Sequence, residues 1–199
     1  MQCEKDRDRM AANDLDVFIG RCREVVAGAN EPATIVRAVA PRMRELLLGP
    51  KSFLRSEHFQ SDPRHYARNA IYTSDDDSLS LFALVWLPGQ WTPVHDHGSW
   101  GVVGVVRGVI EERNYLPMDG EIRSDSGIRL RPGAMTLLPE GAVTTFVPNP
   151  DHIHVTGVPE DRAAAVSLHL YGRNMHSFHI YDLAEGNRRL VDVPHYRSR

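Results

Sequence analysis

The sequence predicts a mainly β fold, a small barrel of short strands with α-helices packed outside it. Between residues 64 and 172, short apolar runs alternate with turns that contain Gly, Pro or Asp, which is typical of a barrel or sandwich. Before residue 50, apolar residues instead recur at the spacing of a helix face. The 199 residues suit a single domain, 1–199, with helices in 1–50, a barrel core in 64–172 and a tail in 187–199.

The N-terminal region predicts two helices that pack on the barrel. The first runs from Asn13 to about Ala27, with Asn13 or Asp14 as its N-cap. The second ends before Gly49, and Pro41 is expected to kink or divide it. Their apolar stripes leave no convergent polar group, so we expect both helices to be packing elements. The stripes comprise Leu15, Phe18, Ile19, Cys22 and Val25 in the first helix, and Ile35, Val36, Val39, Met43, Leu46 and Leu47 in the second.

The remaining elements are a loop over 51–63 and a series of short strands. We expect the tail to be loosely ordered and assign it no function. The strands are predicted at 66–72, 80–87, 102–106, 109–115, 128–138, 144–147, 152–158 and 164–171, with 128–138 broken at Pro132-Gly133.

Composition excludes several classes of partner. The formal net charge of −3 gives no basic surface for nucleic acid or anionic lipid. The two cysteines, Cys3 and Cys22, have no metal-ligand spacing and suit a reducing compartment. Residues 1–16 carry many charges and lack the apolar stretch expected of a signal peptide, and no run approaches the roughly 20 apolar residues of a membrane span. We therefore expect a cytoplasmic protein whose partner is a small molecule, and the sequence leaves its oligomeric state open.

Two histidines stand directly after an apolar strand. If this segment is extended, His95 and His97 project from one face and Asp96 points away. Two imidazoles on one face can hold one metal ion, although a pair of hydrogen-bonded surface histidines has the same pattern.

The glycines and prolines around this pair resemble the two signature motifs of the cupin superfamily. In the first motif, Gly89 precedes His95 by six residues and Gly108 follows His97 by eleven. In the second, Gly133, Pro139 and Gly141 form the pattern Gly-x5-Pro-x-Gly. A cupin fold is what this resemblance implies.

One departure from the cupin pattern concerns the metal ligands. A typical cupin carries a metal-binding Glu where this chain has Gly101, so histidines alone would have to hold the ion. His152 and His154 are two near candidates for the third ligand, and strand alternation places both on the same face. The pattern itself leaves both open.

A polar row follows in the last predicted strand. Ser167, His169 and Tyr171 share one face, and Leu168 and Leu170 share the other. Such a row makes sense if it faces a site, and a half-exposed edge strand is the alternative. Together with the histidine pair, this row resembles the cysteine dioxygenase family of thiol dioxygenases.

The resemblance, which covers residues 66–171, implies roles for individual residues. In that family the third ligand lies thirteen residues before the Ser of the row, which here is His154. Arg68 would bind a substrate carboxylate, Trp86 matches a family Trp, and Tyr171 would act with His169 and Ser167. Gly101 replaces the Cys that cross-links to the active-site Tyr in mammalian members, so Tyr171 is expected to be a free phenol.

The implied chemistry is sulfur dioxygenation on a mononuclear non-haem Fe(II), with O2 as co-substrate. Three neutral imidazoles leave the ion its full charge and open positions, which favours an anionic thiolate. Both oxygen atoms would end on the sulfur as a sulfinate.

The implied substrate is a small carboxylate-bearing thiol. Residues 82–106 resemble the bacterial branch associated with 3-mercaptopropionate, whose members commonly carry Gln in place of Arg68, whereas Arg is typical of cysteine dioxygenases. We put L-cysteine first because Arg68 concerns the substrate directly. The alternatives are 3-mercaptopropionate and mercaptosuccinate, with Arg113 or Arg173 as a further cation for the latter. A metal-binding cupin without oxygenase activity is the alternative from another class.

Overall fold

The computed structural model describes residues 2–148 and 152–192, with the backbone alone for residues 2–13. Two short 3-10 helices, Lys51–Phe53 and Ser56–Phe59, connect the helical and β regions. The helices are α1 (Gln2–Gly28) and α2 (Pro32–Leu48), and the strands are β1 (Ala67–Thr73), β2 (Ser80–Trp86), β3 (Gly101–Arg107), β4 (Val109–Pro117), β5 (Leu130–Pro139), β6 (Val143–Phe146), β7 (Ile153–Gly157), β8 (Ala165–Tyr171), β9 (Ser177–Asp182) and β10 (Asn187–Asp192).

The two predicted helices are present, with different boundaries. α1 includes Asn13 and Asp14 in its interior, so the predicted N-cap is wrong. The residues before them include Ala, Arg, Lys and Glu, whose high helix propensity extends the helix toward the N-terminus. α2 continues through Pro41 as one element. Packing compensates for the hydrogen bond that Pro41 cannot donate, because Val39 and Met43 on either side are fully buried.

The strands form three antiparallel sheets. A five-stranded sheet has the order β1-β2-β8-β3-β6, a three-stranded sheet the order β5-β4-β7, and β9 and β10 form a hairpin. The predicted mainly β class with two N-terminal helices is confirmed. Within the described residues, the hydrogen-bonded strands form three separate sheets and not one closed ring. β5 continues through Pro132-Gly133, and a register shift between Arg113 and Tyr115 of β4 lies opposite them.

The five-stranded sheet separates two apolar cores. On one face, Leu168 and Leu170 of β8 pack with residues of α1 and α2. On the other face, Tyr171 belongs to an interior cluster with Phe82 of β2 and Phe178 of β9. β8 is central in its sheet and fully buried along its length. The predicted alternation along this strand is confirmed, and the edge-strand alternative is wrong.

The C-terminal part of the described chain is more ordered than predicted. Residues 187–192 form β10, which pairs along its whole length with β9, so the expected loose tail is wrong for these residues. The core also extends beyond residue 172, because Phe178 is buried in the interior cluster. Residues 193–199 lie outside the described ranges. Within those ranges, none of the helices has the length and apolar character needed to cross a membrane.

Candidate metal centre and active site

The segment that carries the first two histidines is held by backbone pairing on both sides. His95 exchanges two hydrogen bonds with His154, each 2.9 Å between N and O. On the other side, the amide of Tyr181 donates to the carbonyl of Val94 (2.8 Å), and the amide of Asp96 donates to the carbonyl of His179 (3.2 Å). The segment therefore lies between the β7 strand and the β9–β10 hairpin.

Three imidazoles meet at this segment. His95, His97 and His154 are buried, and one ring nitrogen from each lies within 4.8 Å of the others. The ring centroids are 4.7 Å apart for His95 and His97, 4.6 Å for His95 and His154, and 4.9 Å for His97 and His154. This spacing allows the three side chains to converge on one ion.

The hydrogen-bond partners show which ring nitrogens remain for an ion. Nδ1 of His95 donates to the carbonyl of Pro93 (3.0 Å), which leaves Nε2 as a lone-pair donor. Nδ1 of His97 and Nε2 of His154 are buried and have no hydrogen-bond partner among the described residues. A buried polar atom without a partner costs about 1–3 kcal/mol. A bound metal ion would remove this cost, so the residues fit a metal.

A second group of potential metal ligands comprises Glu112, His152 and His154. Its contacting atoms already have hydrogen-bond partners within the group. Nε2 of His152 lies 3.4 Å from Oε1 of Glu112 and 3.3 Å from Nδ1 of His154, which in turn lies 3.5 Å from Oε2 of Glu112. These atoms satisfy one another as an imidazole–carboxylate cluster. The ring nitrogen of His154 that has no partner among the described residues therefore favours His154 over His152 as the third ligand.

Glu112 is a site residue that the sequence did not reveal. It lies on β4, where the neighbouring Asn114 pairs with His154 of β7. Burial alone would raise the pKa of Glu112, but hydrogen bonds from His152 and His154 hold it below its usual range. The carboxylate is therefore ionised and positioned to fix the orientation of His154. Only the register of β4 on β7 could have identified it.

The three imidazoles are in the form that binds metals. Burial lowers the pKa of His95 and of His97 well below the usual histidine range, and the neighbouring histidines lower both further. Burial also lowers the pKa of His154, although Glu112 opposes this effect. All three side chains are consequently neutral at pH 7.

A hydrogen-bonded row leads to a tyrosine beside this cluster. The indole N–H of Trp86 donates to Oγ of Ser167 (2.9 Å), which lies 2.8 Å from Nε2 of His169. Nδ1 of His169 lies 3.2 Å from the Tyr171 hydroxyl. An indole can only donate, so the donors of Trp86, Ser167 and His169 are all satisfied if Ser167 donates to His169 and His169 donates to Tyr171. The phenol proton of Tyr171 then points away from the row.

Tyr171 faces the histidine cluster. Its ring stacks at 5.5 Å from the ring of His97. Burial raises the pKa of Tyr171, so the phenol keeps its proton at neutral pH. Burial likewise lowers the pKa of His169 to about 3, and the nearby His154 and Arg68 act in the same direction. The row therefore presents a neutral hydrogen-bond donor.

Gly101 lies opposite both Tyr171 and Phe146 in the five-stranded sheet. A Cβ at residue 101 would come within 2.2 Å of Cζ of Phe146. The Phe146 ring, which stacks at 4.2 Å on His97, fills the space where a side chain at this position would lie. A carboxylate side chain at residue 101 would therefore clash with Phe146 in this arrangement. Phe146 was not identified from the sequence.

Arg68 is the buried cation on the Tyr171 side of the interior. Its Nη2 donates to the carbonyl of Met175 (2.6 Å), and its guanidinium lies 4.7 Å from the centre of the Phe82 ring. The Phe82 ring is 6.2 Å from that of Tyr171. Burial lowers the pKa of Arg68, an effect that Tyr171 and then Tyr66 oppose.

The two other arginines considered as substrate cations are engaged elsewhere. Arg113 is exposed, pairs with Glu111 at 2.6 Å and covers the ring of Trp91. Arg173 donates through Nη2 to the carbonyl of Ser177. Arg68 is thus buried near Tyr171, whereas Arg113 is exposed.

No known protein-family model matches the chain. Among solved structures, the chain is similar to an oxalate oxidase in complex with the substrate analogue glycolate, at 13% identity over 61% of this chain and 60% of that one, with a TM-score of 0.44. An uncharacterised protein with a double-stranded β-helix domain from Klebsiella pneumoniae matches at 13% identity over 69% of this chain and 93% of that one (TM-score 0.43). A cupin-like protein from Thermotoga maritima matches at 16% identity over 70% and 88% (TM-score 0.40).

Proposed function

We propose that this chain is a cupin-type thiol dioxygenase, with a mononuclear non-haem iron(II) held by His95, His97 and His154. The observation that carries the proposal is the set of partnerless nitrogens on neutral imidazoles directly beside Tyr171. The substrate class is a small carboxylate-bearing thiol, and L-cysteine, giving cysteine sulfinate, is the leading member. A metal-binding protein without oxygenase activity has no need for the Ser167–His169–Tyr171 row beside its ion.

The charge of the ligand set suits an anionic sulfur. Three imidazoles contribute no negative charge, and Glu112 lies behind His154, at its Nδ1. Bound iron(II) would supply the positions at which a thiolate and dioxygen are brought together. The overall reaction combines one thiolate with one O2 to give one sulfinate, so atoms and electrons balance without an external reductant.

Arg68 is the residue proposed to bind the substrate carboxylate. Its guanidinium is buried and donates to the carbonyl of Met175. A substrate carboxylate beside it would accept charge-assisted hydrogen bonds, for which the planar guanidinium is well suited. The substrate would then lie between Arg68 and the three histidines, with Tyr171 beside it.

Tyr171 is proposed to donate a hydrogen bond to the substrate or to the reacting oxygen. Its raised pKa keeps the proton in place, and if Nδ1 of His169 donates to the phenol oxygen, that proton is directed away from His169. Trp86, Ser167 and His169 fix the position of the phenol oxygen. Their proposed role is to orient Tyr171.

The proposal is tested by oxygen consumption. The purified protein, loaded anaerobically with Fe(II), is mixed with cysteine, 3-mercaptopropionate, cysteamine or mercaptosuccinate, and O2 uptake and sulfinate are measured. We expect one O2 and one sulfinate per thiol for a carboxylate-bearing substrate. The Tyr171→Phe variant should keep its iron and lose most of this rate. Bound iron without oxygen uptake on any of the four thiols would instead identify a metal-binding protein of another activity.

A further inference from the structure

We infer that Asp96 and Tyr181 are positioning residues for the metal centre. Through these two residues, the β9–β10 hairpin sets the direction of the His95 and His97 side chains. The inference rests on the metal centre proposed above. It assigns a role to the residue between the two proposed ligands and to the C-terminal hairpin, neither of which belongs to the His95, His97 and His154 group.

The Asp96 carboxylate is held by the hairpin. Asp96 is buried, and its Oδ2 accepts a hydrogen bond of 2.8 Å from the hydroxyl of Tyr181. Its Oδ1 accepts one of 3.2 Å from the backbone N–H of His179, whose Nδ1 lies 3.2 Å from Oδ2. Nη1 of Arg188 on β10 is 3.9 Å from Oδ2. Both carboxylate oxygens are thus engaged by β9, with a cation from β10 nearby.

Burial makes these contacts obligatory. A buried carboxyl group is costly unless hydrogen bonds satisfy its oxygens. The hydrogen bonds and the cation described above come from β9 and β10. The side chain of Asp96 can therefore keep this environment only if the segment stays in register with the hairpin.

The register of this segment decides where the ligands point. The Asp96 carboxylate contacts β9, whereas the rings of His95 and His97 lie beside each other and beside that of His154. Holding Asp96 by its carboxylate, together with the two backbone hydrogen bonds to His179 and Tyr181, prevents rotation of the segment about its own axis. Rotation would turn both imidazoles away from His154. The anchor at Asp96 consequently fixes two of three ligands at once.

The test measures metal binding by the 199-residue protein in the absence of any thiol substrate. Co(II) alone is the probe, its dissociation constant is obtained by competition with a chelator, and its visible spectrum reports the ligand geometry. We expect Asp96→Ala to raise the dissociation constant about 10–100-fold and to change the spectrum, as loss of an outer partner of a metal site does. Tyr181→Phe, which removes one hydroxyl, should act in the same direction by a smaller factor.

Asp125→Asn is the matched control. Asp125 is exposed and pairs with the same Arg188 at 2.8 Å, but through Nε, whereas Nη1 is the atom near Asp96. The Co(II) dissociation constant and visible spectrum of this variant should equal those of the wild type. If Asp96→Ala fails to fold, Tyr181→Phe decides the question.

Two results would overturn the inference, and they differ in what else they affect. Wild-type affinity and spectrum in Tyr181→Phe and in folded Asp96→Ala, even with lower thermal stability, would make both residues merely structural and leave the oxygenase proposal intact. A wild-type protein that binds no Co(II) would remove the metal centre and the inference together.

Discussion

At the scale of single residues, His152 and His154 differ in their surroundings. Both imidazoles lie near Glu112, and their rings contact each other. His154 is 2% exposed and has a ring nitrogen without a described partner, whereas the side chain of His152 is 20% exposed and its Nε2 is satisfied. Metal binding would therefore satisfy a ring nitrogen of His154 that has no described partner, whereas at His152 it would compete with the Glu112 contact.

Replacing these two histidines separately tests the ligand set. We expect His154→Ala to abolish tight iron binding, because two imidazoles remain on the site, and His152→Ala largely to retain it. Iron per chain is measured after anaerobic loading and desalting. The two variants serve as controls for each other, and the reverse pattern would make His152 the third ligand.

Replacing Arg68 tests the carboxylate contact. Arg68→Ala should raise KM about ten-fold or more for cysteine, because hydrogen bonds to charged groups are worth about 1.5–3 kcal/mol. KM for cysteamine, which has no carboxylate, should change little. Arg113→Ala is the matched control, since Arg113 is exposed and paired with Glu111. An equal rise for both thiols would argue against this role.

At the scale of elements, β3 is closely approached on both faces. A Cβ at Gly101 would meet Phe146 on the interior face, and one at Gly104 would come within 2.8 Å of Leu47 of α2. Each glycine thus allows a neighbour to pack directly on the strand backbone. Because residues 101 and 104 have no side chains, β3 packs directly against Phe146 on one face and against α2 on the other.

Gly101→Ala should destabilise the protein by about 1–3 kcal/mol, since the added methyl group overlaps the Phe146 ring. Adding Phe146→Leu to this variant should restore part of the loss, because the smaller side chain makes room. Urea unfolding of the two single variants and the double variant measures the coupling. Gly20→Ala, at an exposed helical position with nothing within 4 Å, is the control and should not destabilise. Additive effects of the two substitutions would contradict the overlap.

The sequence predicted those elements whose side chains alternate between an apolar and a polar face. The row on β8 is such a case, because Leu168 and Leu170 mark its helix-facing side. β10 gave no such signal, since Arg189 and Leu190 are both exposed and no apolar face distinguishes the strand. Glu112 and Phe146 depend on which residues of distant strands lie opposite each other, and this register is not written in local periodicity.

At the scale of the whole molecule, the interior concentrates imidazoles that are neutral when the protein is folded. His95, His97, His154 and His169 all have lowered pKa values, with burial as the largest cause. In the unfolded chain each would titrate near 6.5. The unfolded state therefore binds more protons than the folded state below that pH, and acid favours unfolding.

This difference predicts the acid sensitivity of the metal-free protein. Its free energy of unfolding should fall as the pH drops from about 6.5 toward 3, and His169, with a folded pKa of about 3, contributes up to ~1.4 kcal/mol per pH unit. His169→Gln should show a shallower fall by that amount. Urea unfolding over a pH series measures both slopes. Equal slopes would show that His169 does not remain unprotonated in the folded protein.

The two hydrogen bonds that join the main chains of His95 and His154 have a consequence for how an ion enters the site. They connect ligands that are far apart in sequence, so the entropy cost of closing this long loop is met when the β-structure forms. The site is preorganised in this sense. An arriving ion has only to shed water and accept three nitrogens that are already in place, and loading should proceed without refolding of the chain.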